Sequence, residues 1–182
     1  MRFYPSSRRE KEKNIWNSGR FQEKVKQIHW GEVLSSLAES GIEFVIVGGA
    51  ALSLHGISRT TLDIDIKISS KEDNIRKLIN ALTGTGLKLD NEDFSLLISK
   101  PELLYEQCIS FSIPEGPQIV DVFLDSPGDF KNLLENSVEI RIGNAEIHVA
   151  SLENIRKMKI EIGRPIDLAD VALIDEFLKL AP

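Results

Sequence analysis

The sequence predicts an α+β domain: a sheet packed on one face by helices, with its other face open as a cleft. Three observations carry this. Leu62 to Ile68 alternates apolar and polar residues strictly, the period of a half-buried strand. Val138–Ile142 and Ala145–Val149 flank Gly143-Asn144, a two-residue hairpin signal. Helical spacing of apolar residues clusters toward the two ends of the chain.

In order along the chain, residues 1–19 carry Pro5, paired serines and a charge run, and read as a basic, irregular arm. Residues 20–182 read as a single domain. Phe21 to Glu39 has helical spacing (Phe21, Val25, Ile28, Val33, Leu34, Leu37), with Gly31 a point of division and Ser40-Gly41 its end. Phe44–Val47 is an apolar strand that runs into Gly48-Gly49, and Ala50–His55 is a short helix on that turn. In the second strand Leu62, Ile64, Ile66 and Ile68 share one face; Asp63, Asp65 and Lys67 share the other. Ser70 is placed to cap a helix over 71–82, and Thr83–Gly86 closes it.

Leu87–Leu89, Phe94–Ile98 and Gln107–Ile113 read as strands, with a helical turn over Pro101–Glu106. Gln118–Leu124 is a strand after the Pro114–Pro117 turn, and Pro127–Asn136 a helix. After the hairpin, Ser151 opens a helix with Leu152, Ile155, Met158 and Ile162 on one face. Gly163-Arg164-Pro165 breaks it, and Ile166–Leu180 forms the last helix with Ile166, Ala169, Leu173 and Phe177 inward.

Composition narrows the function. The 182 residues are 42% hydrophobic and 27% charged, the balance of a globular protein with a real core. No apolar run approaches the roughly 20 residues that span a bilayer, and no membrane role is expected. The N-terminal segment lacks the apolar core of a secretory signal. Cys108 is the one cysteine, which fits a reducing, cytoplasmic setting. With three scattered histidines beside it, an oxygen-ligated ion is expected rather than zinc. The net charge of −6 is uneven: residues 1–30 hold eight Lys/Arg against three Glu, and the rest is acidic. Such an arm can meet a polyanion or an acidic partner, or be a solvated terminus.

Asp63 and Asp65 lie about 7 Å apart along their strand, from a rise of roughly 3.3 Å per residue. A bare solvent-facing strand alternates in the same way. Asp121, in Val120-Asp121-Val122-Phe123-Leu124, changes the weighing. If its strand neighbours the first, three carboxylates share one sheet face and repel unless cations neutralise them. Carboxylate oxygens suit Mg²⁺, and a pair of such ions serves in-line displacement at phosphorus. Main-chain donors at Gly48-Gly49 suit the phosphates.

Gly48-Gly49, Asp63-Ile64-Asp65 and the later, apolar-flanked Asp121 resemble the nucleotidyltransferase superfamily of DNA polymerase β type. VGGAALSLHGISRTTLDIDI and SLENIRKMKIEIGRPIDLADVALI further resemble small nucleotidyltransferase-like proteins related to AbiEii-type toxins and to the minimal nucleotidyltransferases. The resemblance covers about residues 40–180 and implies a mixed, mostly antiparallel nucleotidyltransferase sheet. It also implies transfer of a nucleoside monophosphate from an NTP to a hydroxyl, with release of pyrophosphate. Under it, Asp63 and Asp65 bind two Mg²⁺ ions (Mn²⁺ as substitute), Asp121 binds the catalytic one and helps deprotonate the acceptor, and Gly48 and Gly49 hold the β- and γ-phosphates. By the same analogy Lys159 touches the triphosphate, Asp167 orients Lys159 or Arg164, and the helices over 151–180 close the nucleotide site.

Other roles stay open on the residues alone. Arg59 can meet a phosphate or pair with an aspartate. Lys159, Arg164, Asp167 and Asp170 can equally form a helix-end ion network. His55 reads as a packed, hydrogen-bonded residue rather than a base. The acceptor can be a tRNA end, a protein side chain or a small hydroxylated molecule, and a cognate partner protein would accompany a toxin–antitoxin role. The competing readings are a non-catalytic nucleotide-binding or antitoxin-type module and, behind it, a metal-dependent phosphohydrolase.

Overall fold

The computed structural model describes residues 30–91, 93–94, 97–142 and 145–180. Residues 1–29, with the basic arm and the start of the first expected helix, lie outside it, as does the Gly143-Asn144 turn. Seven strands form one sheet in the order β3-β4-β5-β2-β1-β7-β6. They are β1 (Phe44–Val47), β2 (Ile64–Ser69), β3 (Lys88–Leu89), β4 (Cys108–Ser112), β5 (Gln118–Asp125), β6 (Ser137–Ile142) and β7 (Ala145–Ala150). The β1–β7 and β2–β5 pairs are parallel and the other four antiparallel. The domain is thus α+β with a mixed, mostly antiparallel sheet.

The helices are α1 (Trp30–Glu39), α2 (Gly48–Leu54), α3 (Glu72–Gly84), α4 (Pro127–Glu135), α5 (Leu152–Ile162) and α6 (Pro165–Leu180). Alternation decides the two sheet faces. Ile46, Ile66, Val122 and Ile109 oppose one another across four strands and are buried, as are Ile64, Ile68, Val120 and Leu124. Trp30 and Leu34 of α1, with Ala50 and Leu54 of α2, lie over the side of Ile46 and Ile64, and α3 packs on α1. Burying each such aliphatic side chain contributes about 1.5–3 kcal/mol. The other face carries Val47, Asp65, Asp121 and Ser110, and α5 and α6 wall part of it.

Several local expectations are corrected. Gly48 and Gly49 form the first turn of α2 rather than a turn before it. Ser70 does not cap α3; Lys71 holds that position without a side-chain bond, and the Ser70 hydroxyl is buried with no partner among the described residues. Phe94 and Leu97–Ile98 are helical and turn backbone, not strand. Phe94 and Ile98 are buried and Leu97 is exposed, a spacing that a strand and a helix share, so the periodicity alone could not tell them apart. On α6 the buried residues are Asp167, Asp170 and Ile174, whereas Ile166 and Leu173 are exposed, a rotation of about one residue. On α5, Ile162 is exposed and Lys159 is buried in its place. The starts of α4 and α5 follow the sequence: the Ser126 and Ser151 hydroxyls accept from Asp129 N and Asn154 N at 3.3 Å each.

Candidate active site

The parallel pairing of β2 with β5 sets Asp65 opposite Asp121, and the antiparallel pairings on either side add Val47 and Ser110 to the same row. Asp63 sits just before β2, in the bend that leads into it. One carboxylate oxygen from each of Asp63, Asp65 and Asp121 lies within 4.8 Å of the other two. The cost of this gathering is visible at Asp65. Burial first, then the negative charges of Asp63 and Asp121, push its carboxyl up to about 6.

The surroundings fix each aspartate. Thr61 Oγ1 donates to Asp63 Oδ1 at 2.5 Å. Ser110 Oγ donates to Asp121 Oδ1 at 2.6 Å, and Gln118 Nε2 donates both to that oxygen and, at 2.9 Å, to Ser110 Oγ. Asp65 accepts from the Gly49 backbone N–H, which lowers its pKa against the stronger upward pull. Gly48 has φ +66°, and a Cβ there would collide with the Asp65 carboxylate. A Cβ at Gly49 would come within 3.1 Å of Thr61. The two glycines thus let α2 begin directly against the carboxylates.

The second wall is an ion network. Lys159 Nζ lies 2.7 Å from Asp170 Oδ2 and 3.2 Å from Asp167 Oδ1. Arg164 Nε donates to Asp167 Oδ2 at 2.6 Å, and Arg59 Nε to Asp170 Oδ1 at 2.9 Å. The Arg164 hydrogen bond is the first cause holding the Asp167 carboxyl below its ordinary range. Between this network and the aspartates lies a cleft of about 320 Å³, lined by Gly48, Asp65, Lys159, Arg164 and Asp167, with Lys67 and Phe123 on the sheet beside them. His55, by contrast, is engaged in packing, its Nε2 2.8 Å from Ala150 O.

Of the residues singled out from sequence, Gly48, Asp65, Lys159, Arg164 and Asp167 line this one cleft, and Gly49, Asp63 and Asp121 bond to or cluster with them. Arg59 is joined to them only through Asp170. Sequence reasoning passed over Thr61, Ser110 and Gln118, and placed Asp170 in the helix-end ion network without a contact of its own to the nucleotide. The i, i+3 spacing of Asp167 and Asp170 was the available signal for the last. Ser110 and Gln118 matter through strand register, which the sequence does not display.

Three carboxylates at this spacing, one of them resisting ionisation, suit a hard divalent cation, and among the described residues no nitrogen or sulfur ligand joins the cluster. Comparisons with known proteins agree in kind. A Thermotoga maritima protein described as a nucleotidyltransferase is 14% identical, covering 82% of this chain and 92% of its own, with a TM-score of 0.51. ANT(2″)-Ia, crystallised with adenylyl-2″-tobramycin, is 16% identical over 86% of this chain and 90% of its own, at 0.55. The Megavirus polyadenylate synthase is 10% identical over 96% of this chain but only 38% of its own, at 0.52. At these identities the likeness is one of fold, and the fold is that of the nucleotidyltransferases. No curated protein matches the sequence. A family model described as nucleotidyltransferase of unknown function, DUF6036, matches residues 31–175, so the chain belongs to that nucleotidyltransferase family.

Proposed function

We propose that the protein moves a nucleoside monophosphate from an NTP to an acceptor hydroxyl in a divalent-cation-dependent reaction, with Asp63, Asp65 and Asp121 as its catalytic residues. The observation that carries this is the mutual approach of the three carboxylates beside the glycine start of α2. Asp63, Asp65 and Asp121 would hold Mg²⁺, two ions in the fullest arrangement, with Mn²⁺ as a substitute. Bound there, the metal would supply charge neutralisation on the phosphates and a polarised acceptor oxygen.

The chain's own residues do the rest. Lys159 and Arg164 face the cleft as cations for the triphosphate, and Asp167 and Asp170 hold Lys159 in place. The main chain at Gly48, which lines the cleft, would meet phosphate oxygens, while the Gly49 N–H holds Asp65 in place. The acceptor oxygen bonds to the α-phosphorus while the bond from that phosphorus to the β-bridging oxygen breaks. Pyrophosphate leaves with the electron pair, and the acceptor proton passes to Asp121, which Ser110 and Gln118 hold in place through its Oδ1. Arg59, bound to Asp170, tightens the network instead of contacting phosphate. Residues 151–180 act in this reading as the closing wall of one domain running from residue 20, and residues 1–19 as its arm.

The acceptors open to this fold differ widely, since its relatives include a protein crystallised with adenylyl-2″-tobramycin and a polyadenylate synthase. A place in a toxin–antitoxin or defence pair rests on the resemblance of the two motifs to AbiEii-type proteins. The test of the reaction is labelled NTP with Mg²⁺ and cell extract, followed by intact mass of the products. Wild type should add an NMP to an acceptor and release pyrophosphate, and Asp63→Asn should not. Equal labelling by both would remove the assignment, and phosphate in place of pyrophosphate would turn it into hydrolysis.

A further inference from the structure

On the far side of Asp121 from the nucleotide cleft lies a second cavity, of about 400 Å³, within the range of small-molecule sites. Its position follows from strand register. The row Val47–Asp65–Asp121–Ser110 begins in the nucleotide cleft and ends in this cavity, and so does the next row, Lys67–Phe123–Cys108. Ser110 and Gln118 line the cavity while both donate to Asp121 Oδ1, so its wall and the catalytic carboxylate share hydrogen bonds. Asp90 is tied to the same spot, its backbone N donating to Ser110 O at 3.0 Å.

In-line displacement needs the attacking oxygen and the departing pyrophosphate on opposite sides of the phosphorus. With the triphosphate among Gly48, Lys159 and Arg164, the opposite side is this cavity. Its chemistry then selects the occupant. Asp90 and Asp93 line it, and no lysine, arginine or histidine is among the described lining residues. Phe94 and Leu103 add apolar surface. A nucleic-acid end would bring phosphates against these carboxylates, which repel it. We infer that this cavity is the acceptor site and that it takes a small, hydroxyl-bearing organic cation. The inference rests on the proposed nucleotidyl transfer.

Two measurements test it. With Mg²⁺-ATP, the protein is offered glucosamine, glucose and glucose 6-phosphate, one ring in cationic, neutral and anionic form, and a short RNA. AMP should pass to glucosamine roughly tenfold more readily than to glucose, and Asp90→Asn/Asp93→Asn should erase the difference. Equal use of the sugars, preference for the phosphate or the RNA, or labelling of none overturns the acceptor class. Mg²⁺-ATP binding by wild type but not by Asp63→Asn, measured on the same preparations, keeps the transfer reading apart from that failure; without such binding the transfer reading itself falls.

The second measurement needs no correct acceptor. Cys108, the one cysteine of the chain, lines the cavity as a free thiol. Its rate with a trimethylammonium-ethyl methanethiosulfonate, divided by that with the sulfonatoethyl analogue, should exceed the ratio for free cysteine by roughly tenfold. It should fall toward the free-thiol ratio in Asp90→Asn/Asp93→Asn. A wild-type ratio equal to that of free cysteine, or one unchanged in the double variant, overturns the proposal.

Discussion

Asp65 and Asp121 stand directly opposite each other in the parallel register of β2 and β5, with Asp63 completing the cluster from the bend before β2. Two like charges on adjacent strands destabilise a sheet, so the pairing has a consequence that pH can expose. Asp65 titrates near 6 in the folded protein against an ordinary 3.8. Between those values the native state holds a proton that the unfolded chain has lost, so the metal-free protein loses stability as pH rises from about 4 to about 6. At 1.36 kcal/mol per unit the loss is at most about 3 kcal/mol. Divalent cations need the ionised form, so the rise in melting temperature on adding Mg²⁺ should be larger at pH 7.5 than at pH 5. Denaturation with and without Mg²⁺ across that range checks both; a Mg²⁺ effect independent of pH would count against metal binding at Asp65.

Ser110→Ala tests the link between the second cavity and Asp121. The substitution removes one of two donors to Asp121 Oδ1 and leaves Gln118. A hydrogen bond to a charged group contributes about 1.5–3 kcal/mol, equivalent to roughly 10–160-fold in rate if it is fully expressed at the transition state. Turnover should fall by about tenfold toward the lower end of that range, with the NTP KM little changed. Steady-state kinetics decide, and an unchanged kcat would mean that Ser110 does not position Asp121.

What was legible in the sequence was local. The strict alternation of Ile64 to Ile68 and of Val120 to Leu124 identified both carboxylate strands because each is buried on one side only. That the strands are neighbours, with Asp65 opposite Asp121, is a tertiary fact reached by resemblance and by the repulsion argument, not by spacing. The α6 face was misjudged for an electrostatic reason. Ile166, Ala169, Leu173 and Phe177 make an apolar stripe, but Asp167, Asp170, Ile174 and Phe177 share a face at equally good helical spacing, half of it acidic. Lys159 turns the second set inward by supplying the buried carboxylates with a counter-charge.

Gly48→Ala should damage both fold and site. A left-handed backbone costs a residue with a side chain about 1–2 kcal/mol, and the added Cβ would displace the Asp65 carboxylate. The variant should lose more stability than the backbone term alone and should no longer gain stability from Mg²⁺. Denaturant titration with and without Mg²⁺ measures the two effects, and an undiminished Mg²⁺ response would show that Asp65 keeps its place without the glycine.

The Lys159 network allows stability and nucleotide binding to be separated. The side chains of Lys159, Asp167 and Asp170 are 9%, 1% and 3% exposed, whereas that of Arg164 is 65% exposed. Removing one member of a buried ion group leaves an uncompensated charge and costs about 3–5 kcal/mol. Lys159→Met should fall near the lower end, because Asp170 keeps Arg59 and Asp167 keeps Arg164. Arg164→Ala leaves Lys159 on Asp167, so it should cost less than Lys159→Met, about 1.5–3 kcal/mol for the hydrogen bond lost to a buried carboxylate. Both variants should bind Mg²⁺-ATP more weakly if their cations meet the triphosphate. Calorimetry beside chemical denaturation distinguishes the cases: wild-type affinity in folded Arg164→Ala and Lys159→Met would make the network a structural brace and confine nucleotide recognition to the carboxylates and the start of α2.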